Sequence, residues 1–190
     1  VVHVVINYPC LHPPGGGSLP YPVLDLVFPH RSIRNYPDRP VDREVLVELL
    51  QAGMAAPSAM NSRPWEFAIV TDPVKLDALR KSLPFGNYQA PAAIIPLYNP
   101  LIGSNPISVS FWQQDLSAAV QNILITASGM GLGTVWIGVH PMPPLVGAVR
   151  KIIKAPRWIT PLCVIYVGHP DQTKSPRTQY EERRVHWDEY

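Results

Sequence analysis

Residues 109–139 read VSFWQQDLSAAVQNILITASGMGLGTVWIGV, and they carry the longest helical pattern of the chain directly into a strand pattern. Leu116, Val120, Ile123, Leu124 and Ala127 recur at three- and four-residue intervals, which predicts one apolar face on a helix from about Val109 to Gly129. Gly129, Gly131 and Gly133 then end it, because glycine readily takes the left-handed turn that closes a helix. Thr134 to Val139 comes next as a β-branched apolar run of strand length. The order is therefore helix, glycines, strand. A dinucleotide-binding glycine fingerprint requires the opposite order, strand before glycines before helix, so a Rossmann reading is rejected.

Working outward, Pro143 to Ile153 has helical periodicity and Leu162 to Gly168 reads as another strand. On the other side, Ala92 to Tyr98 and Glu66 to Thr71 read as strands, and Asp72-Pro73 opens a short helix that runs to about Ser82. Asp42 is placed to cap a helix carrying Val45, Leu46, Leu49, Leu50, Gly53 and Met54, with Glu44 in its first turn and Pro57 beyond its end. Alternating strands and helices predict an α+β fold with a mixed sheet.

The chain has 190 residues, enough for one domain with a sizeable core. Sixteen basic and fourteen acidic residues leave a net charge of +2 without long charged runs, which argues against nucleic acid or an anionic membrane surface as partner. No apolar run approaches the roughly 20 residues of a membrane-spanning helix. Cys163 lies in an apolar run and is expected to be a buried, inert thiol, and Cys10 lies in an unrelated context. A soluble protein of the reducing cytoplasm is the expectation. Prolines number 23, and several cluster with Gly15-Gly16-Gly17 in a stretch that begins without Met. Residues 1–20 therefore read as an extended arm or foreign sequence, and 21–190 as the domain. Six histidines show no metal-ligand spacing, and neither a nucleophile elbow nor a P-loop occurs.

Two short segments flank the Asp42 helix. His30-Arg31-Ser32-Ile33-Arg34 offers two guanidiniums and a hydroxyl within four positions, a set that suits phosphate through planar, charge-assisted contacts. Pro57-Ser58-Ala59-Met60-Asn61-Ser62-Arg63-Pro64-Trp65 supplies small side chains and an amide, suited to a flat heterocycle. Their order and spacing, together with Phe111 to Asn122, Gly131 to Gly138 and the closing Glu181 to Trp187, resemble the FMN-dependent nitroreductase family over roughly residues 21–190.

That resemblance implies a nitroreductase-like fold, with a mainly antiparallel mixed sheet, flanking helices and a long central helix. It also implies a homodimeric oxidoreductase with FMN as cofactor. NADH or NADPH would be the donor, and a nitroaromatic, quinone or similar small molecule the acceptor, in a ping-pong hydride transfer. Carried over residue by residue, the FMN phosphate falls to Arg31, Ser32, Arg34 and Arg184, with Arg183 beside it and His30 standing where the family most often has Arg. Pro57, Ser58, Ala59 and Asn61 are implied beside the isoalloxazine. Arg63 replaces the usual Gln, and could favour the reduced ring, select an anionic substrate or simply face solvent. Val135, Trp136, Ile137 and Gly138 match a segment whose backbone faces the flavin, and Gly138 could leave room near N5 or mark a strand bulge. Trp65 reads as core, His186 and Trp187 as packing of a C-terminal arm, and the Leu116 to Ala127 helix as an interface element. Two rival readings stay open, a non-catalytic FMN-binding or storage protein and a family relative specialised for another flavin reaction such as dehalogenation.

Overall fold

The computed structural model describes residues 23–190, so the expectation for residues 1–20 lies outside the described residues. In chain order the elements are a one-turn helix α1 (Leu24–Val27), α2 (Arg43–Met54), β1 (Trp65–Val70), α3 (Pro73–Ser82), β2 (Ala92–Tyr98), α4 (Ser108–Gly129), β3 (Gly133–Gly138), α5 (Pro143–Ile152), a two-residue β4 (Thr160–Pro161) and β5 (Cys163–Gly168). The strand order is β1-β2-β5-β3, with β4 also on β2, and every ladder is antiparallel. A single parallel bridge, Ser32 to Thr134, lies beside β3. The sheet is thus mainly antiparallel with one parallel contact, and the fold is α+β as the sequence predicts.

Both faces of this sheet are covered, which is why β2 and β5 read as continuous apolar runs rather than as alternating ones. Because strand side chains alternate with period two, Ala92, Ile94, Ile165 and Val167 pack on one face with Leu46 and Leu49 of α2 and Leu116, Val120 and Ile123 of α4. Ala93, Ile95, Val164 and Tyr166 pack on the other with Leu76 and Leu79 of α3 and Val149 of α5. Trp65 and Cys163 are both buried, as expected, and burial pushes the Cys163 thiol well above its ordinary value.

Two local expectations are corrected. The apolar face of α4 is not an interface: Leu116, Val120, Ile123, Leu124 and Ala127 are all buried within the chain's own core, where α2 and the sheet take up their surface. Asp42 occupies the position before α2, yet its carboxylate accepts no capping hydrogen bond. Asp72 does cap α3, accepting from the N–H groups of Val74 at 2.8 Å and Lys75 at 3.2 Å.

The end of α4 sets the entry into β3. Gly131 takes a left-handed φ of 74°, and Leu132 N–H reaches back to the Ala127 carbonyl at 2.8 Å. At Gly133 a Cβ would stand 2.6 Å from the Ile33 side chain. Only glycine there lets the segment around Ser32 and Ile33 lie against the edge of β3.

Candidate flavin site

The first motif is held as an added edge strand. Ser32 bridges Thr134, and Ile33 N–H donates to the Thr134 carbonyl at 2.8 Å. The chain beyond β5 returns along its other side: Asp171 N–H donates to the Asn35 carbonyl at 3.0 Å and Arg177 N–H to the Phe28 carbonyl at 3.1 Å. Side chains cross-link the two segments. Lys174 Nζ donates to the Ser32 carbonyl at 2.6 Å, and Arg31 Nη1 donates to the Ser175 carbonyl at 2.6 Å.

Four cations meet at this corner. Burial, then the like charges of Arg34, Arg31 and Arg177, hold the Lys174 ammonium below its ordinary value. Among the described residues no Asp or Glu pairs with any of the four. His30, Arg31, Thr134 and Lys174 line a cavity of about 240 Å³ beside the end of α4. Burial, then Arg31, holds the His30 imidazole below its ordinary value. Gathering cations without a counter-ion costs folding energy, and an anion filling the cavity would remove that cost.

Arg34 leads away from this cavity into a second one. With Tyr88, Val135, Trp136, Ile137 and Gly138 it lines a space of about 390 Å³, which His140 and Met142 also line. The guanidinium carbon of Arg34 stands 5.9 Å from the Tyr88 ring centroid. A Cβ built on Gly138 meets nothing within 4 Å, so the strand presents an open backbone face there.

The second motif lies elsewhere. It leads into β1, at the opposite edge of the sheet from β3, and none of its residues lines either cavity. Its anchor is Asp115 of α4, 5% exposed, which accepts from Ala59 N–H at 2.8 Å and from Ser62 Oγ at 3.2 Å. From Asp115 to Ser128, which lines the basic cavity, α4 advances roughly 20 Å. Within the segment Met60, Asn61 and Arg63 hold left-handed φ values of 48°, 54° and 46° without being glycine. Each such residue costs about 1–3 kcal/mol, strain that persists only where the surroundings impose it. The imposing contacts include Arg63 N–H to the Ser58 hydroxyl at 2.9 Å and Ser104 N–H to the Ser62 carbonyl at 3.2 Å.

The nitroreductase family profile matches residues 29–87 and 85–169. The chain belongs to the nitroreductase family. A relative from Methanothermobacter thermautotrophicus, provisionally named an NADH dehydrogenase/NAD(P)H nitroreductase, is 36% identical over 170 residues, covering 88% of this chain and 87% of the relative. The crystal structure of a protein with the same provisional name from Parabacteroides distasonis is 40% identical, with a TM-score of 0.83 over 90% of this chain and 99% of that one. A Desulfovibrio desulfuricans protein provisionally called a nitroreductase, solved in complex with FMN, is 26% identical with a TM-score of 0.73, covering 90% and 98%.

Within this nitroreductase fold the residues singled out from the sequence divide into three places. His30, Arg31, Ser32 and Arg34 come together with Val135 to Gly138 along one sheet edge. Pro57, Ser58, Ala59, Asn61 and Arg63 form a separate loop at the other. Arg183 and Arg184 both pair with Glu181, at 2.6 and 2.8 Å, and among the described residues no side-chain hydrogen bond or ion pair joins them to the basic corner. Lys174 and Arg177 stand there, and neither belongs to a motif singled out from the sequence. The available signal is a Lys-Ser-Pro-Arg run shortly after the last strand, where a proline-stiffened tail must run back across the sheet edge.

Proposed function

We propose that this nitroreductase family member passes electrons from NADH or NADPH to a nitroaromatic, quinone or similar small-molecule acceptor in a ping-pong cycle, as a homodimer of residues 21–190 in the cytoplasm. It is an NAD(P)H-dependent oxidoreductase, and its cofactor is FMN. The family and the names of its relatives support the donor, and the FMN held by the Desulfovibrio relative supports the cofactor.

One observation carries the reading: four cations with no acidic partner among the described residues converge beside a strand whose Gly138 leaves its face open. That donor set fits FMN. Arg31, Lys174, Arg177 and the Ser32 hydroxyl would hold the phosphate, through charge-assisted hydrogen bonds stronger than neutral ones. Arg34, which shares a cavity with Val135 to Gly138, brings positive charge to the side where the ring would lie. When bound, FMN supplies the two-electron chemistry between the reduced nicotinamide and the acceptor. Donor and acceptor would use the one open face in turn, which is the reason for a ping-pong order.

The separation of the two motifs supports the dimer. Pro57, Ser58, Ala59 and Asn61 stand at the opposite sheet edge from the basic corner, so the loop of a second copy would complete the flavin pocket. Among the described residues no helix is long and apolar enough to cross a membrane.

Absorption spectra and turnover test this reading. The purified protein should be yellow, release FMN on denaturation, oxidise NADH or NADPH with a quinone acceptor, and sediment as a dimer. Bound flavin without turnover would favour the storage reading instead. A monomer that keeps FMN at nanomolar concentration would sink the shared pocket.

A further inference from the structure

Arg63 stands at a third cavity, of about 340 Å³, lined with it by Met54, Ser62, Trp65, Ile102 and Ser104. The guanidinium is exposed, and among the described residues no acidic side chain pairs with it. Its backbone is left-handed at φ 46°, held by the Ser58 hydroxyl, in a loop that Asp115 ties to α4. A merely solvated arginine needs none of this, because a relaxed backbone would expose it equally well. The cavity sets one cation against an apolar wall of Trp65, Ile102 and Met54, while the hydroxyls of Ser62 and Ser104 are already spent on Asp115 and on the Asn61 carbonyl, which leaves Arg63 as the group that faces a ligand. That combination suits a flat apolar molecule carrying an anionic group.

We propose that Arg63 and this cavity form a specificity site that takes the carboxylate, sulfonate or phosphate of the small molecule exchanging electrons at the flavin. The inference rests on the proposed function, since the loop bearing Arg63 is the one that reading places against the flavin of a second copy. The anion has two possible sources, a charged acceptor or the phosphates of the nicotinamide dinucleotide. Both use the same chemistry, a forked guanidinium on an oxyanion.

The test compares the flavin-loaded parent with Arg63→Gln and Arg63→Lys. Bound FMN per chain is measured first; a parent without flavin or turnover overturns the proposed function and this inference together. Steady-state constants are then taken with a neutral naphthoquinone, its sulfonate, NADH and NADPH, and binding of the two quinones is followed by calorimetry. Loss of one charge-assisted contact should lower kcat/KM roughly tenfold or more for one anionic partner. The sulfonate would be that partner if the acceptor is the source, and the dinucleotide if the donor is. Constants for the neutral quinone and the FMN content should hold, and Lys should recover most of the loss. Equal losses on charged and neutral partners, or no loss on either, overturn the specificity site while leaving the flavin reading intact.

Discussion

The basic corner and the Asp115-anchored loop solve opposite problems at opposite edges of one sheet. At the corner the backbone is an ordinary edge strand, and the unusual feature is charge: Arg31, Arg34, Lys174 and Arg177 crowd together, and among the described residues no acid pairs with them. At the loop the charge is slight and the backbone carries the strain, with Met60, Asn61 and Arg63 left-handed around a buried carboxylate. On the proposed function the corner is completed by an anion. The loop is held by its own hydrogen bonds to Asp115. One region would thus be filled by a ligand, and the other shaped before a ligand meets it.

Breaking the loop should give the largest effect. Asp115→Ala leaves Ala59 N–H and the buried Ser62 hydroxyl without an acceptor, and should cost about 2–4 kcal/mol in urea unfolding. Hydrogen exchange at residues 59–63 should quicken by more than global stability alone explains. Protection there unchanged in that variant would mean that the strained shape does not depend on Asp115.

The corner is sharpened by pairing two variants. Lys174→Ala should weaken FMN binding by about 1.5–3 kcal/mol, the range for a hydrogen bond to a charged group. Arg184→Ala, whose charge already goes to Glu181, should leave FMN affinity within about ±0.5 kcal/mol of the parent. Fluorescence titration with FMN separates them, and equal losses would return Arg184 to the phosphate.

The smallest effect concerns pH. His30 in the folded chain titrates below 6.5, chiefly through burial and then through Arg31. Between that lowered value and 6.5 the unfolded chain binds a proton that the folded chain refuses, so apoprotein stability falls as pH drops through this window. Arg31 and Lys174 line the same cavity as His30. Thermal melts from about pH 7.5 to 5 should fall further for the parent than for His30→Gln, and added inorganic phosphate should narrow the gap. Parallel curves without phosphate would remove His30 from the corner.

Much of this architecture is legible in the residues because its cues are local. The period of Leu116 to Ala127 places α4 to within one residue at its start, Asp72-Pro73 marks the start of α3, and the apolar run Ala92 to Tyr98 is β2 as read. The phosphate-suited and ring-suited motifs are also recognisable by chemistry. Where they sit is not, because nothing in a thirty-residue spacing tells that β1 and β3 take opposite edges. The same holds for Lys174 against Arg184. Both are basic residues of one tail, and only the course of that tail along Asn35 and Phe28 decides which reaches Ser32. The period of α4 gives its apolar face, but whether that face meets α2 or a second copy depends on packing that no period encodes.

The hydrogen bonds from Arg31 to Ser175 and from Lys174 to Ser32 join positions 144 and 142 apart in the chain. A growing polypeptide emerges from its N-terminus, so Arg31 and Ser32 are made long before their partners exist. At roughly 5–20 residues per second, about 7 to 30 seconds separate the two halves of the corner. On the proposed function, cofactor capture would therefore be a late event in the life of each new molecule. A chain cut short before Lys174 would hold every strand of the sheet and still lack Lys174 and Arg177, so flavin uptake would report that translation has run past β5.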